Sequence, residues 1–209
     1  GIGPPYEDKA GRRGVRIGDL LDPEVLRTRL EYVVPQKCAV VEDVFGKEAG
    51  EELDVDDLYE TYRTYGERLA EEEMTVNCGN YLQSRIDDGD EVLCEGAQGT
   101  LIDIDHGNYP FVTSSNPTAG GACTGTGLGP TEIGQGEIVG IVKGYATRVG
   151  SGPMPSELAG VEGDTPGYDG DAGEDEENLA TYIRDEGGEY GTVTGRPRRV
   201  GWLDLPVLR

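Results

Sequence analysis

Residues 95–116 read EGAQGTLIDIDHGNYPFVTSSN, and this stretch holds the chain's only histidine, His106. Glycine, hydroxyl, amide and acid crowd together in it. Glycines let backbone N–H groups approach an anion closely, and Ser and Thr hydroxyls add donors. Two basic islands stand on either side in the chain. One is GIGPPYEDKAGRRGVRIGDL, residues 1–20, with Lys9, Arg12, Arg13 and Arg16; the other is GTVTGRPRRVGWLD, residues 191–204. The arginine guanidinium is a planar fork suited to phosphate or carboxylate. Together these residues fit a small anionic ligand such as a nucleotide.

Other motifs carry less. The run GGACTGTGLGP, residues 120–130, does not complete GxGxxG, and no acid on a following strand supports a dinucleotide site. No GxxxxGK[ST] occurs in the chain. The acids of DID, residues 103–105, are expected to stabilise their loop through backbone amides, not to bind a metal. His106 is expected to be a structural loop residue. Cys38, Cys78, Cys94 and Cys123 form no CxxC pair, so a zinc site is not expected and the thiols read as reduced, in a cytoplasmic protein.

The charge balance narrows the partners. Eighteen cations stand against 41 acids, a net charge of −23. A field of this sign repels nucleic acid. No apolar run approaches the ~20 residues of a membrane span. The acids are spread along the whole chain, and lysine is scarce beside arginine, which points to a halophile whose surface is adapted to a salty cytoplasm. Gly1 and Arg209 read as cut ends, so the chain is expected to be part of a longer one.

The elements that must position these residues follow from local signals. Asp22-Pro23-Glu24 starts a helix with Leu26, Leu30 and Val33 on one face. A second helix follows Asp54, with Val55, Leu58, Tyr62, Tyr65 and Leu69 as an apolar packing stripe. Asn77 to Asp88 reads as a third, ended by Gly89. Strands are expected at 91–94 and near 137–145, and a short helix around 176–186 ended by Gly187-Gly188. Residues 160–178 read as a solvated acidic insertion. Helices alternating with isolated strands argue for α/β.

Four stretches in order, GIGPPYEDKAGRRGVRIGDL, EGAQGTLIDIDHGNYPFVTSSN, TRVGSGPMPSEL and TGRPRRVGWLD, together resemble the adenylosuccinate synthetase family. The resemblance covers nearly all of residues 1–209 but only about the middle half of the family's length. It implies a mixed central sheet flanked by helices, P-loop-NTPase-like and incomplete in this chain. The amino-terminal phosphate loop and the carboxy-terminal guanine-binding part are expected to lie outside it. It also implies a cytoplasmic homodimer that phosphorylates the 6-oxygen of IMP with GTP and Mg²⁺. The amine of L-aspartate then displaces that phosphate to give adenylosuccinate.

Carried over by position, the resemblance places Gln98 beside the purine of IMP and Thr113 on its 5′-phosphate. Arg12 would reach the partner subunit's IMP phosphate. Lys9, the signature lysine, would lie near the active site, with a catalytic role expected for it and for Gln98. Val149 and Gly150 would line the ribose pocket. Thr192, Val193, Thr194, Gly195, Arg196, Pro197 and Arg198 would form the aspartate loop. Within it Arg196 would also meet IMP, and Arg198 would approach GTP. Pro197 departs from the more basic run of bacterial members and is expected to change loop stiffness only. Mg²⁺ ligands are expected outside this chain, so residues 1–209 alone are not expected to turn over. Two alternatives stand beside this one: a catalytically inactive IMP-binding protein of the same descent, and an unrelated acidic α/β scaffold.

Overall fold

A polar side chain ahead of an apolar repeat starts three helices of the computed structural model, which describes residues 1–49, 53–158, 174–191 and 195–209. Asp22 is extended, and its carboxylate accepts from the amides of Glu24 and Val25 at 3.0 and 3.2 Å. Asp54 accepts from Asp56 and Asp57, and Asn77 from Asn80. Each cap satisfies amides that the first turn leaves without partners. Gly89, at φ +93°, follows the third of these helices, where a side chain would be strained.

The chain divides into two units, Gly1–Ala97 with Thr113–Ile133, and Gln98–Val112 with Gly134–Arg209. The first is helical: α1 (Gly3–Ala10), α2 (Pro23–Ala39), α3 (Val55–Glu71), α4 (Cys78–Asp87), α5 (Gly120–Thr126) and α6 (Pro130–Gln135), with a 3-10 turn at Ile17–Leu21 before α2. Leu20, Leu26, Leu30 and Val34 form its buried core, with Leu53, Val55, Leu58, Tyr59 and Leu69 packed against them. The buried face of α2 thus runs through Val34, and Val33 is only half-buried. On α3 the stripe splits. Tyr62 and Tyr65 are exposed and meet edge to face, 5.7 Å apart, while Gly66 is buried between them and Leu69. Gly66 lies against the Leu20 backbone, and a Cβ there would run into the Leu20 carbonyl. The close approach of α3 to the 3-10 turn depends on that glycine.

The second unit is built on a small antiparallel sheet. β1 (Ala146–Arg148) pairs with β2 (Arg199–Gly201) in the register Ala146↔Gly201, Thr147↔Val200, Arg148↔Arg199. Residues 156–158 add to the other edge of β2, with Leu158 N donating to Val200 O and Trp202 N to Ser156 O. The helix α7 (Glu174–Gly187) packs on it and buries Leu158, Ala180 and Val200, and α8 (Leu205–Leu208) follows β2.

Helices with a small sheet agree with α/β in the coarse sense. The expected strands at 91–94 and 137–145 do not form. Leu93 is 91% and Ile141 94% exposed. A strand needs a neighbour for its backbone groups, and the described residues bring none to either run. The insertion at 160–178 lies outside the described residues as far as residue 173, and from Glu174 the backbone is already helical. GGACTGTGLGP opens with α5, closed by Gly127 at φ +82°.

Candidate functional site

In the first unit the candidate residues lie at the two ends of α1. A Cβ on Gly3 would sit 3.7 Å from Ser114 Oγ, so the first turn of α1 lies beside the loop that carries half-buried Thr113. Gly121 fixes the far end of that loop, because a Cβ there would strike the Asn116 carbonyl. Lys9 and Arg12 stand at the other end, about 12 Å of helix away for eight residues at 1.5 Å each. The unit therefore does not bring Arg12 and Thr113 together.

Asp8 anchors this end of α1. It is buried and accepts from Lys37 Nζ at 2.7 Å and Arg13 Nε at 3.1 Å. The hydrogen bond from Lys37 holds its carboxyl below the usual aspartate range, against burial, with Arg13 helping. Its carbonyl also accepts from the amides of Arg13 and Gly14, which turns the chain sharply. Arg12 takes that turn at φ +58°. Lys9 and Arg12 are exposed and make no ion pair among the described residues. In a chain of net charge −23, two cations left to solvent are available to an anion.

Among the described residues, three other than glycine adopt a left-handed backbone: Arg12, Glu73 and Gln98. Two of the three are residues singled out from sequence. A left-handed residue other than glycine is uncommon and persists where its surroundings impose it. Gln98, at φ +62°, is exposed and opens the second part of the polar loop. Beyond it Asp103 is fully buried, and its Oδ1 accepts from the amides of Asp105 and His106 at 2.9 and 3.1 Å. Asp103 therefore stabilises the loop, as DID was expected to do, and His106 takes part through its backbone. No group of three or more His, Cys, Asp or Glu side chains suited to a metal ion occurs among the described residues.

In the second unit two arginines hold the turn that carries Val149 and Gly150. Arg148 donates to the carbonyls of Phe111 and Ser151 at 2.7 and 2.9 Å. Arg199 donates through Nη1 to those of Gly150 and Gly152 at 3.1 and 2.8 Å. Burial, and then the charge of Arg199 opposite it, lower the Arg148 pKa. Gly150 and Gly152 sit at φ +75° and +118°, and Val149 is left 72% exposed. Glu157 balances Arg199, its two oxygens facing Nε and Nη2, with both side chains only 3% exposed.

The second basic island is a hairpin leading into β2. Arg198 N donates to Glu189 O, Gly191 N to Arg196 O and Gly195 N to Gly191 O, each at 2.8 Å. Thr192, Val193 and Thr194 lie outside the described residues. Gly195 is left-handed at φ +64°, and Arg196 and Pro197 are exposed. Arg198 is half-buried, with Nη1 on Glu189 Oε2 at 2.9 Å. Because β2 begins at the next residue, Arg198 and the Val149–Gly150 turn share one frame.

Sequence reasoning missed Arg148, Glu157, Glu189 and Arg199, the residues that support these turns. Glu157 and Glu189 were hidden among 41 acids. Lys143, which pairs with Glu189, had left a signal as the one cation inside the apolar run EIVGIVKGY.

The family model described as adenylosuccinate synthetase matches residues 1–209. The adenylosuccinate synthetase of Haloarcula marismortui is 68% identical over 214 residues, covering all of this chain and 47% of that protein. That of Salinibacter ruber is 47% identical, covering all of this chain and 42% of its own length. The solved structure of fully ligated adenylosuccinate synthetase from Plasmodium falciparum superposes with a TM-score of 0.79 at 33% identity, over 99% of this chain and 42% of that one. The chain thus spans about half the length of the relatives it matches. With the family model matching from the first residue to the last, this chain belongs to the adenylosuccinate synthetase family.

Proposed function

We propose that this chain supplies most of the IMP and aspartate contacts of a GTP-dependent ligase that forms adenylosuccinate from IMP and L-aspartate. The observation that carries this is the family match across residues 1–209, within which all four quoted motifs lie in order. In this reading the exposed runs at 91–94 and 138–142 are strands of a larger mixed, P-loop-NTPase-like sheet completed by other parts of a longer protein. The protein is a cytoplasmic homodimer.

The chemistry has two steps. The 6-oxygen of IMP attacks the γ-phosphorus of GTP, the bond to the β–γ bridging oxygen breaks, and GDP leaves. The aspartate amine then attacks C6 of the purine, and inorganic phosphate leaves with the C6–O bond. Positioning and neutralisation of charge do most of the work in such transfers. Thr113 grips the 5′-phosphate through its hydroxyl. Gln98 both donates and accepts beside the purine, and its fixed backbone aims the amide. The rigid turn of Val149 and Gly150 lines the ribose. Arg196, in the loop Thr192–Arg198, meets aspartate and IMP, and Arg198 reaches GTP. Lys9 lies near the reacting groups. Arg12 serves the partner subunit's IMP, which agrees with its place at the end of α1 away from Thr113. The Mg²⁺ ligands are supplied by parts of the longer protein outside residues 1–209.

Thr113→Ala tests the reading in a full-length synthetase carrying this segment. Losing one hydrogen bond to a charged phosphate costs about 1.5–3 kcal/mol, so KM for IMP should rise more than tenfold with KM for GTP little changed. An unaltered KM for IMP would remove Thr113 from the site.

A further inference from the structure

Glu189 is among the few buried acids of the described residues, 3% exposed, and three donors converge on it. Lys143 Nζ lies 2.5 Å and the Tyr145 hydroxyl 2.8 Å from Oε1, and Arg198 Nη1 lies 2.9 Å from Oε2. Its backbone is committed as well: its amide donates to Arg184 O and its carbonyl accepts from Arg198 N, both at 2.8 Å. Arg184 closes the ring, with Nε on Arg198 O at 2.9 Å. A Cβ on Gly187 would lie 2.6 Å from the Tyr145 hydroxyl, so a larger residue there would have to push the tyrosine aside. Burial alone would raise the Glu189 pKa, but the three hydrogen bonds outweigh it and hold the group ionised below the usual glutamate value.

We infer that Glu189 is a positioning residue for the reaction, fixing the Arg198 guanidinium and backbone before the anionic ligand of Arg198 arrives. An unpaired arginine samples many rotamers, and ordering it on ligand binding costs affinity. A carboxylate at Nη1 orders it in advance and leaves the other edge of the fork for a second anion. Arg198 Nε, buried with no hydrogen-bond partner among the described residues, marks a guanidinium whose donors are not all engaged by the protein. The carboxylate balances Lys143 as well as Arg198, so it orders the arginine without leaving an unpaired negative charge to repel a phosphate.

This inference rests on Arg198 contacting GTP, and the test separates the two. In a full-length synthetase carrying this segment, Glu189→Gln, Arg198→Met and the double variant are compared by KM for GTP and IMP and by thermal midpoint. Glu189→Gln should raise KM for GTP about tenfold and leave KM for IMP within twofold. The double variant should be no worse toward GTP than Arg198→Met. A normal KM for GTP in Glu189→Gln, or additive losses in the double variant, overturns the positioning role and leaves Arg198 as a GTP contact. A normal KM for GTP in Arg198→Met overturns the GTP contact itself, and the inference with it. Should Glu189→Gln not fold, Glu189→Asp, which keeps the charge one methylene short, should give the same split between GTP and IMP. Equal changes in both constants would overturn the role, since a merely structural residue would not single out GTP.

Discussion

Arg199 and Glu157 face each other as a buried fork, Nε to Oε1 at 2.8 Å and Nη2 to Oε2, while the remaining Nη1 holds the carbonyls of Gly150 and Gly152. One guanidinium therefore ties β2 to residue 157 and to the turn that presents Val149. Removing one partner of a buried pair leaves the other charge uncompensated, at about 3–5 kcal/mol. Arg199→Met should cost on that order. Urea unfolding at fixed KCl would measure it, and a loss under 1 kcal/mol would show that the pair is not buried in solution. Arg199→Lys should recover only part of the loss, since an ammonium cannot span both oxygens and both carbonyls.

Two glycines in helices should respond oppositely to alanine. Gly66 is buried on α3 with the Leu20 carbonyl in the way of a Cβ, whereas Gly134 on α6 is exposed with nothing within 4 Å. Alanine is preferred in a helix by about 1 kcal/mol. At Gly134 that preference should prevail, and Gly134→Ala should leave the thermal midpoint unchanged or raise it. At Gly66 overpacking, typically about 1–3 kcal/mol, should outweigh it and lower the midpoint. A stabilising Gly66→Ala would refute the close packing of α3 on the 3-10 turn.

The contrast between these glycines shows what the sequence made legible. The helix starts at Asp22, Asp54 and Asn77 were readable because a cap acts within three residues of itself. So was the loop role of DID. The role of Gly66 was not, because a mid-helix glycine looks like a local weakness until its neighbour is known. The runs at 91–94 and 137–145 have strand composition, but pairing is nonlocal and the described residues supply no partner. Lys9, Arg12, Gln98, Thr113 and Arg198 came from family resemblance. Asp8 at the end of α1, Glu157 and Arg199 at the Val149–Gly150 turn, and Glu189 at Arg198 are common charged types whose burial no spacing announced.

Acid should weaken the anchor of α1 before it melts the helices. The Asp8 pKa is lowered from its ordinary value of 3.8, chiefly by the hydrogen bond from Lys37. A depressed folded-state pKa adds stability that is fully present above the unfolded value and lost as pH falls through the folded one. The advantage of the native protein over Asp8→Asn should therefore be constant from pH 7 to about 5, and should shrink below the ordinary value of 3.8. Urea midpoints of both proteins between pH 6 and 3 would show this. A difference that grew on acidification would mean that Asp8 is not ionised in the folded state.

Salt should stabilise this protein, although it weakens each ion pair. Arg27, Arg63, Arg68 and Arg85 pair with carboxylates at exposed positions, and such pairs contribute about 0–1 kcal/mol each. Against them, 41 acids and 18 cations leave 23 uncompensated negative charges on one chain. Their repulsion acts over many pairs at once. The screening length falls from about 10 Å at 0.1 M salt to about 3 Å at 1 M, which removes repulsion between charges spread over the surface. The buried pairs of Glu157 and Glu189 are screened far less and should persist. The net gain between 0.1 and 2 M KCl should be a few kcal/mol, a rise in thermal midpoint on the order of 10 °C. A midpoint that fell with KCl would show that the exposed ion pairs dominate and that the acid excess is no adaptation to salt.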